Sequence, residues 1–124
     1  PDQYQAPTLV SDAARRLGRL VEATAAARAA TLLAPENAST HHLLAQALSA
    51  DGRPRQAVAA RRRALAAGYA APGRQWLHVA ADFITMGNTV AALAAIDSAS
   101  VVANGDAILT ADVDSLRTTL SVGR

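Results

Sequence analysis

The sequence predicts an all-α fold built from repeated helical hairpins. Alanine makes up about a quarter of the 124 residues, whereas aromatic residues make up only 3%. Alanine has the highest helix propensity, and the β-branched and aromatic runs typical of all-β proteins are scarce. Three glycines, Gly18, Gly52 and Gly87, recur 34 and 35 residues apart, and each separates two stretches with helical apolar spacing. A fixed period of this length is typical of stacked helical repeats.

Length and composition narrow the possible functions. A chain of 124 residues suits a single domain, and we expect one over residues 1–124. The absence of cysteine excludes disulfides, thiolate zinc sites and thiol nucleophiles, but does not distinguish compartments. No apolar run reaches the 18 residues that suggest a membrane span, so direct membrane insertion is not expected. A net charge of +2 requires no polyanionic partner.

The source and the completeness of the chain are predicted from its composition and its first residue. All 12 residues counted as Lys or Arg are arginine, which together with the alanine content indicates a GC-rich bacterial genome. The compartment stays open between bacterial cytoplasm and periplasm. The chain starts at Pro1 with neither an initiator methionine nor a signal segment, so we expect a processed product or a piece of a longer protein.

Each period-setting glycine is expected to supply a left-handed turn between two helices. The third repeat carries Trp76, Val79, Ala80 and Phe83 before its glycine, and Ala92, Ile96 and Ala99 after it. The matching positions of the second repeat are His41, Leu44, Ala45, Leu48, Ala57, Arg61, Ala64 and Tyr69. Those of the first, weakest repeat are Pro7, Val10, Ser11, Ala14, Ala23, Ala27, Ala30 and Pro35.

This pattern resembles the tetratricopeptide repeat (TPR), with repeats over about 4–37, 38–71 and 72–105. The resemblance implies a right-handed superhelical solenoid of antiparallel helix hairpins. Small residues are expected where two helices cross, with Ala45 facing Ala57 and Ala80 facing Ala92. The alternative is an unrelated alanine-rich helical bundle, which has no reason to repeat glycine and alanine at fixed offsets.

Local residue chemistry predicts several helix ends. Asn37 or Ser39 caps the first helix of the second repeat, Pro54 opens its partner and Gly68 closes that partner. Pro7 is expected to open a shortened first helix. Residues 68–73 are predicted to form a linker.

An amphipathic helix is predicted over about 106–121, as a cap that makes one end of the solenoid soluble. Its apolar stripe consists of Ile108, Leu109, Val113, Leu116 and Leu120, and its polar residues are Asp106, Asp112, Asp114 and Arg117.

Residues that bear on catalysis or metal binding are few. His41 and His42 diverge by about 100° on a helix, so they do not form a metal site together. His41 takes the place of a large packing residue, and Asp112 and Asp114 are expected to lie on a solvated helix face. No phosphate-binding glycine loop, serine-nucleophile elbow or zinc-protease motif occurs. The sequence therefore predicts no enzyme, no metal and no cofactor.

One basic cluster consists of Arg53, Arg55, Arg61, Arg62 and Arg63. Aromatic side chains for base stacking are missing, so nucleic acid is not expected as a partner. The interpretation favoured is a solvated convex face, with contact to an acidic partner as the alternative. The aliphatic stem of Arg61 is expected to cover the interior while its guanidinium reaches water.

The TPR resemblance implies a concave groove lined by the first helix of each repeat. Its predicted lining is Gln5, Thr8, Leu9, Asp12 and Arg15, then Ser39, His42, Leu43, Gln46 and Ser49, then Arg74, Leu77, His78, Ala81 and Ile84. The alternative is that some of these are only solvent-facing, or are covered by a neighbouring segment. At the positions of a known carboxylate clamp for chaperone tails, the chain has Thr8, Asp12, Leu43, Arg74 and His78. Since Asp12 repels a carboxylate, a peptide with an apolar anchor near Leu77, Ala81 and Ile84 fits better.

Two functions follow from these patterns. The first is a non-catalytic protein–protein interaction scaffold that binds a partner segment in the groove. The second is a structural spacer from a longer bacterial protein, such as a periplasmic scaffold of an outer-membrane exporter, with neighbouring repeats of the same chain as its partners. A catalytic activity, if any, is expected in another part of a parent chain.

Overall fold

A computed structural model describes residues 3–122 of the protein. These residues form seven α-helices and no strand. The helices are α1 (Gln5–Arg16), α2 (Leu20–Leu33), α3 (Ala38–Ala50), α4 (Pro54–Ala66), α5 (Pro72–Thr85), α6 (Thr89–Val102) and α7 (Ala107–Val122). Each of the three predicted repeats holds one helix pair, and α7 occupies the segment that follows them.

The helices belong to two compact units, one ending at Tyr69 and the other beginning at Ala70. In the first unit α1 packs on α2, α3 packs on α4, and α3 also contacts both α1 and α2. In the second unit α5 packs on α6, and α7 contacts both. Hairpin packing between consecutive helices therefore organises each unit.

The turns between paired helices depend on glycine. Gly18, Gly52 and Gly87 have φ angles of 76°, 71° and 74°, a region that costs other L-residues about 1–2 kcal/mol. After α3, for example, the Arg53 amide donates to the Leu48 carbonyl at 2.9 Å, the bond that defines a Schellman turn. The predicted left-handed turns are confirmed.

The alanines predicted at the helix crossings are fully buried. Ala45 and Ala57, from α3 and α4, are both 0% exposed, as are Ala80 and Ala92 from α5 and α6. Burial of four alanines at matching repeat positions indicates close approach of the helix axes, which larger side chains would prevent.

The first hairpin uses serine at the same position. Ser11 is 0% exposed, and its hydroxyl donates to the carbonyl of Ala23 in α2 at 2.8 Å. Ser11 corresponds to Ala45 and Ala80 in the repeat alignment. A buried hydroxyl must be hydrogen-bonded to avoid a desolvation cost, so this bond allows serine where the other repeats have alanine.

Three predicted helix ends are confirmed. The Asn37 side chain accepts a hydrogen bond from the Ser39 amide at 2.9 Å and caps α3. Pro54 is the first residue of α4, and Gly68, with a φ of 84°, follows the end of that helix.

Two predictions at prolines are wrong. Helix α1 begins at Gln5, two residues before Pro7, because proline is accepted anywhere in a first turn whose amides have no intrahelical partner. Helix α5 begins at Pro72, so the predicted linker over 68–73 is shorter than expected. Gly73 lies inside the helix, where an added Cβ would approach Leu109 of α7 within 2.2 Å. This close contact explains glycine near the start of a helix.

Helix α7 buries only part of its predicted stripe. Asp106 caps the helix by accepting from the Leu109 amide at 2.9 Å. Leu109 and Val113 are 5% and 1% exposed. Ile108 is 72% exposed, so its assignment to the buried stripe is wrong. Five residues from Val113, it points about 140° away from that side chain on the helix.

Candidate peptide-binding surface

The predicted lining residues of α1 are mostly polar and partly accessible. Thr8, Asp12 and Arg15 are half-buried, whereas Gln5 and Leu9 are exposed. Asp12 accepts from Arg15 at 2.9 Å and lies 3.2 Å from Arg16. This pairing leaves Asp12 less able to repel an acidic partner than an isolated carboxylate would be.

Thr8 and Arg15 retain different capacities for new hydrogen bonds. The Thr8 hydroxyl already donates to the Tyr4 carbonyl at 2.8 Å. The Nε of Arg15 is buried with no hydrogen-bond partner within the described chain. Arg15 therefore keeps one buried donor that no residue of the described chain satisfies, although its Nη2 donates to Asp12.

The predicted lining residues of α3 are also partly accessible. His42, Gln46 and Ser49 are half-buried and Ser39 is exposed. Leu43 is only 8% exposed, so it contributes little contact surface. Because α1 and α3 contact each other, the first unit presents neighbouring polar positions on two helices.

Contacts within the first unit orient two of the α3 side chains. The rings of His42 and Tyr69 lie 4.7 Å apart between centroids, with a 33° tilt. Arg61 of α4 donates from Nη2 to the Ser49 hydroxyl at 3.1 Å. Arg61 is only 4% exposed, so the expectation that its guanidinium reaches water is wrong. Its length lets it reach across the α3–α4 hairpin instead.

In the second unit, α5 exposes one stripe of the predicted residues. Arg74, His78, Ala81 and Ile84 are all exposed, and their spacing of three or four residues places them along one helix face. Leu77 is only 8% exposed. The apolar part of this surface is therefore Ala81 and Ile84, without Leu77.

Arg74 has a partner that the sequence did not reveal. Its guanidinium forms an ion pair with Asp112 of α7, although Asp112 was predicted only to lie on a solvated face. The two side chains are 44% and 46% exposed, so the pair remains reachable from solvent. Arg117 of α7 pairs similarly with Asp97 of α6 at 2.6 Å.

His41 packs as the sequence predicts. It is 8% exposed, and its Nε2 lies 2.7 Å from the Pro35 carbonyl oxygen. Nδ1 is buried without a hydrogen-bond partner in the part of the chain described. Within residues 3–122, no three side chains of the types that bind metals come together.

Sequence reasoning missed two buried polar residues on α5. Gln75 and Asp82 are 0% and 5% exposed. They are seven residues apart on the side of the helix that also carries buried Val79. The only sign of their burial in the sequence is that they lie four residues before and three residues after Val79, on the same side of the helix.

Comparison with known proteins gives matches in structure but not in sequence. No family model matches the sequence, and no curated protein matches it significantly. The type III secretion translocator chaperone SycD of Yersinia enterocolitica has a TM-score of 0.86 at 14% identity, over 99% of this chain and 95% of that one. The TPR2B domain of yeast Sti1 has a TM-score of 0.83 at 21% identity, over the whole of both chains. The chain has a tetratricopeptide-repeat fold.

A further TPR-like match is MamA, with a TM-score of 0.72 at 21% identity over 90% of this chain and 60% of that one. One SycD structure contains a peptide of the translocator YopD, and the Sti1 structure is a complex with pHsp70. No helix among residues 3–122 is both long and apolar enough to cross a membrane.

Proposed function

We propose that this TPR-like chain is a non-catalytic protein-interaction module that binds partner segments through accessible residues of α5 in the second unit and of α1 and α3 in the first. The observation that carries the proposal is the exposed α5 stripe of Arg74, His78, Ala81 and Ile84. A cation, an imidazole and two apolar residues on one face match what a short peptide requires. Peptide and protein complexes of two structures with this fold support it.

The chemistry of the surface indicates the kind of segment. Half-buried Gln46 and Arg15 offer polar groups to backbone or side-chain atoms of a partner. Ala81 and Ile84 are exposed and offer a small apolar contact to an aliphatic side chain. Arg74 and Asp112 are already paired, so they are expected to add specificity rather than much affinity. The segment proposed is therefore a mixed-polarity peptide with an aliphatic anchor.

The test begins with peptides selected from a displayed random library at 0.3 M salt. High salt screens attraction between charges, so the selection favours peptides that bind through apolar contacts and hydrogen bonds. Affinity of the selected peptides is then measured by fluorescence anisotropy for Ala81→Glu, on α5, and for Ala94→Glu, on α6. Both alanines are exposed, so both variants are expected to fold, with helicity checked by circular dichroism.

We expect Ala81→Glu to weaken binding at least tenfold and Ala94→Glu to change it less than twofold. A second matched pair covers the first unit, with Leu9→Asp on α1 and Leu32→Asp on α2. Those leucines are 71% and 81% exposed, and only the α1 change should weaken binding. Equal affinity for all four folded variants would show that these faces do not bind the peptide.

A structural spacer remains the alternative function, and one observation favours it. Leu9, Val10 and Leu17 of the α1 segment are 71%, 56% and 72% exposed, an apolar surface of the kind that a neighbouring repeat covers in a solenoid. The spacer function predicts that extending the chain with upstream residues of its gene raises the melting temperature by several degrees. An unchanged melting temperature favours the interaction module.

A further inference from the structure

A second surface lies between helices α2, α3 and α4 of the first unit, and none of its lining residues belongs to the proposed peptide-binding positions. It is a depression of about 170 Å³, hereafter the basic depression. It is lined by Arg28, Leu44, Leu48, Gln56, Ala59, Ala60 and Arg63. Small-molecule sites generally enclose about 300–1,000 Å³, so this depression suits a single side chain better than a whole small ligand.

The floor of the basic depression is aliphatic. Leu44, Leu48 and Ala60 lie there with exposures of 3%, 2% and 2%. Ala59 lies on the rim and is exposed. An aliphatic side chain that enters meets apolar atoms below it and displaces water from them, which is favourable.

Two arginines from different helices flank this floor. Arg28 of α2 donates from Nη2 to the Oε1 of Gln56 at 3.0 Å, which holds its guanidinium toward α4. Arg63 lies seven residues after Gln56, on the same face of α4. Arg63 also lines the adjoining hollow formed with Glu36 and His41.

The positive charge around the basic depression is not neutralised within the chain. Among residues 3–122, the ion pairs involve none of Arg28, Arg55, Arg62 and Arg63. The nearby Asp51 is 3.3 Å from Arg53 and so is already engaged. Of the four arginines, Arg28 and Arg63 line the depression, and their two guanidiniums, which take part in none of these ion pairs, make this face complementary to a negatively charged partner.

We propose that the basic depression binds an acidic peptide segment that inserts one aliphatic side chain between Arg28 and Arg63. The aliphatic floor anchors that side chain, while the guanidiniums pair with flanking carboxylates. Nucleic acid fits the site less well, because no aromatic side chain lines it for base stacking.

The probe is a fluorescein-labelled peptide of aspartate and glutamate with one central leucine, titrated with the whole chain at 50 mM salt. Arg28→Gln and Arg63→Gln are each expected to weaken binding about two- to fivefold, and the double variant about tenfold or more. Arg19→Gln is the control, because Arg19 has the same charge and lies before α2, outside the lining. It should change affinity less than twofold.

Two further comparisons test the apolar part of the site. Replacing the peptide's leucine with serine is expected to weaken binding at least fivefold, and Ala59→Gln, which adds a polar side chain without a charge, should weaken it by a similar factor. The Ala81→Glu variant should bind this probe as tightly as the unmodified protein does. The test of the basic depression is therefore independent of the test of peptide binding at α5.

Several results would overturn the proposal. These are equal binding of the leucine and serine peptides, an effect of Arg19→Gln as large as that of Arg63→Gln, or no binding up to 1 mM peptide. Binding of a single-stranded oligodeoxythymidine more tightly than the peptide would assign the face to nucleic acid and also contradict it.

Discussion

The packing of α5 on α6 can be tested by making the same substitution at two neighbouring alanines of α5, one buried and one exposed. Ala80 is 0% exposed at the crossing, whereas its neighbour Ala81 is exposed on the same helix. Ala80→Leu and Ala81→Leu introduce the same side chain with the same helix propensity. Any difference in stability between the variants therefore reports packing at the crossing.

The expected size of the difference follows from the burial. Ala80→Leu adds three carbon atoms to a fully buried site, which costs about 1–3 kcal/mol through overpacking. Ala81→Leu places the same atoms in solvent and should change the free energy of unfolding by less than about 0.5 kcal/mol. With a urea m-value of about 2 kcal/mol/M, a 2 kcal/mol loss lowers the unfolding midpoint by about 1 M.

Urea titration followed by Trp76 fluorescence is the assay. Trp76 is the only tryptophan, is half-buried and belongs to α5, so its signal comes from the helix that carries both changes. Ala80→Leu should unfold at the lower urea concentration. Identical midpoints for the two variants would refute the claim that α5 and α6 cross closely at Ala80.

Three further predictions concern other contacts. Leu109 is 5% exposed, so Leu109→Ala should lower the free energy of unfolding of the second unit by about 2–5 kcal/mol. Ile108 is 72% exposed, so Ile108→Ala should lower it by less than about 0.5 kcal/mol in the same urea titration. Gly87→Ala should lower the free energy of unfolding by about 1–2 kcal/mol because φ is 74° there; a melting temperature equal to wild type would contradict this. A double-mutant cycle with Arg74→Gln and Asp112→Asn should give a coupling of about 0.2–1 kcal/mol that falls in 1 M salt, and zero coupling at low salt would show that the pair contributes nothing.

Features that depend on the backbone were predictable from the sequence. Positive φ angles strongly favour glycine, so the spacing of Gly18, Gly52 and Gly87 located three helix turns. Small residues at fixed offsets located the crossings in the same way. Ser11 fits this pattern because its hydroxyl donates to the Ala23 carbonyl. The repeat alignment does not predict that hydrogen bond.

Long side chains were harder to place, because their partners are distant in sequence. Arg74 and Asp112 are 38 residues apart, and nothing local connects them. Arg61 was expected to reach water but bonds Ser49, since a flexible arginine can reach either solvent or the neighbouring helix. Burial of Leu77 likewise depends on packing, which an alignment to a repeat pattern does not specify.

The most direct test of the central claim is an NMR titration of the isotope-labelled protein with a peptide from the 0.3 M salt selection. We expect backbone amide shifts to concentrate in α5 around His78 and Ala81, or in α1 and α3 around Gln46. Shifts confined to α6 and α7, or spread evenly over all helices, would contradict the claim.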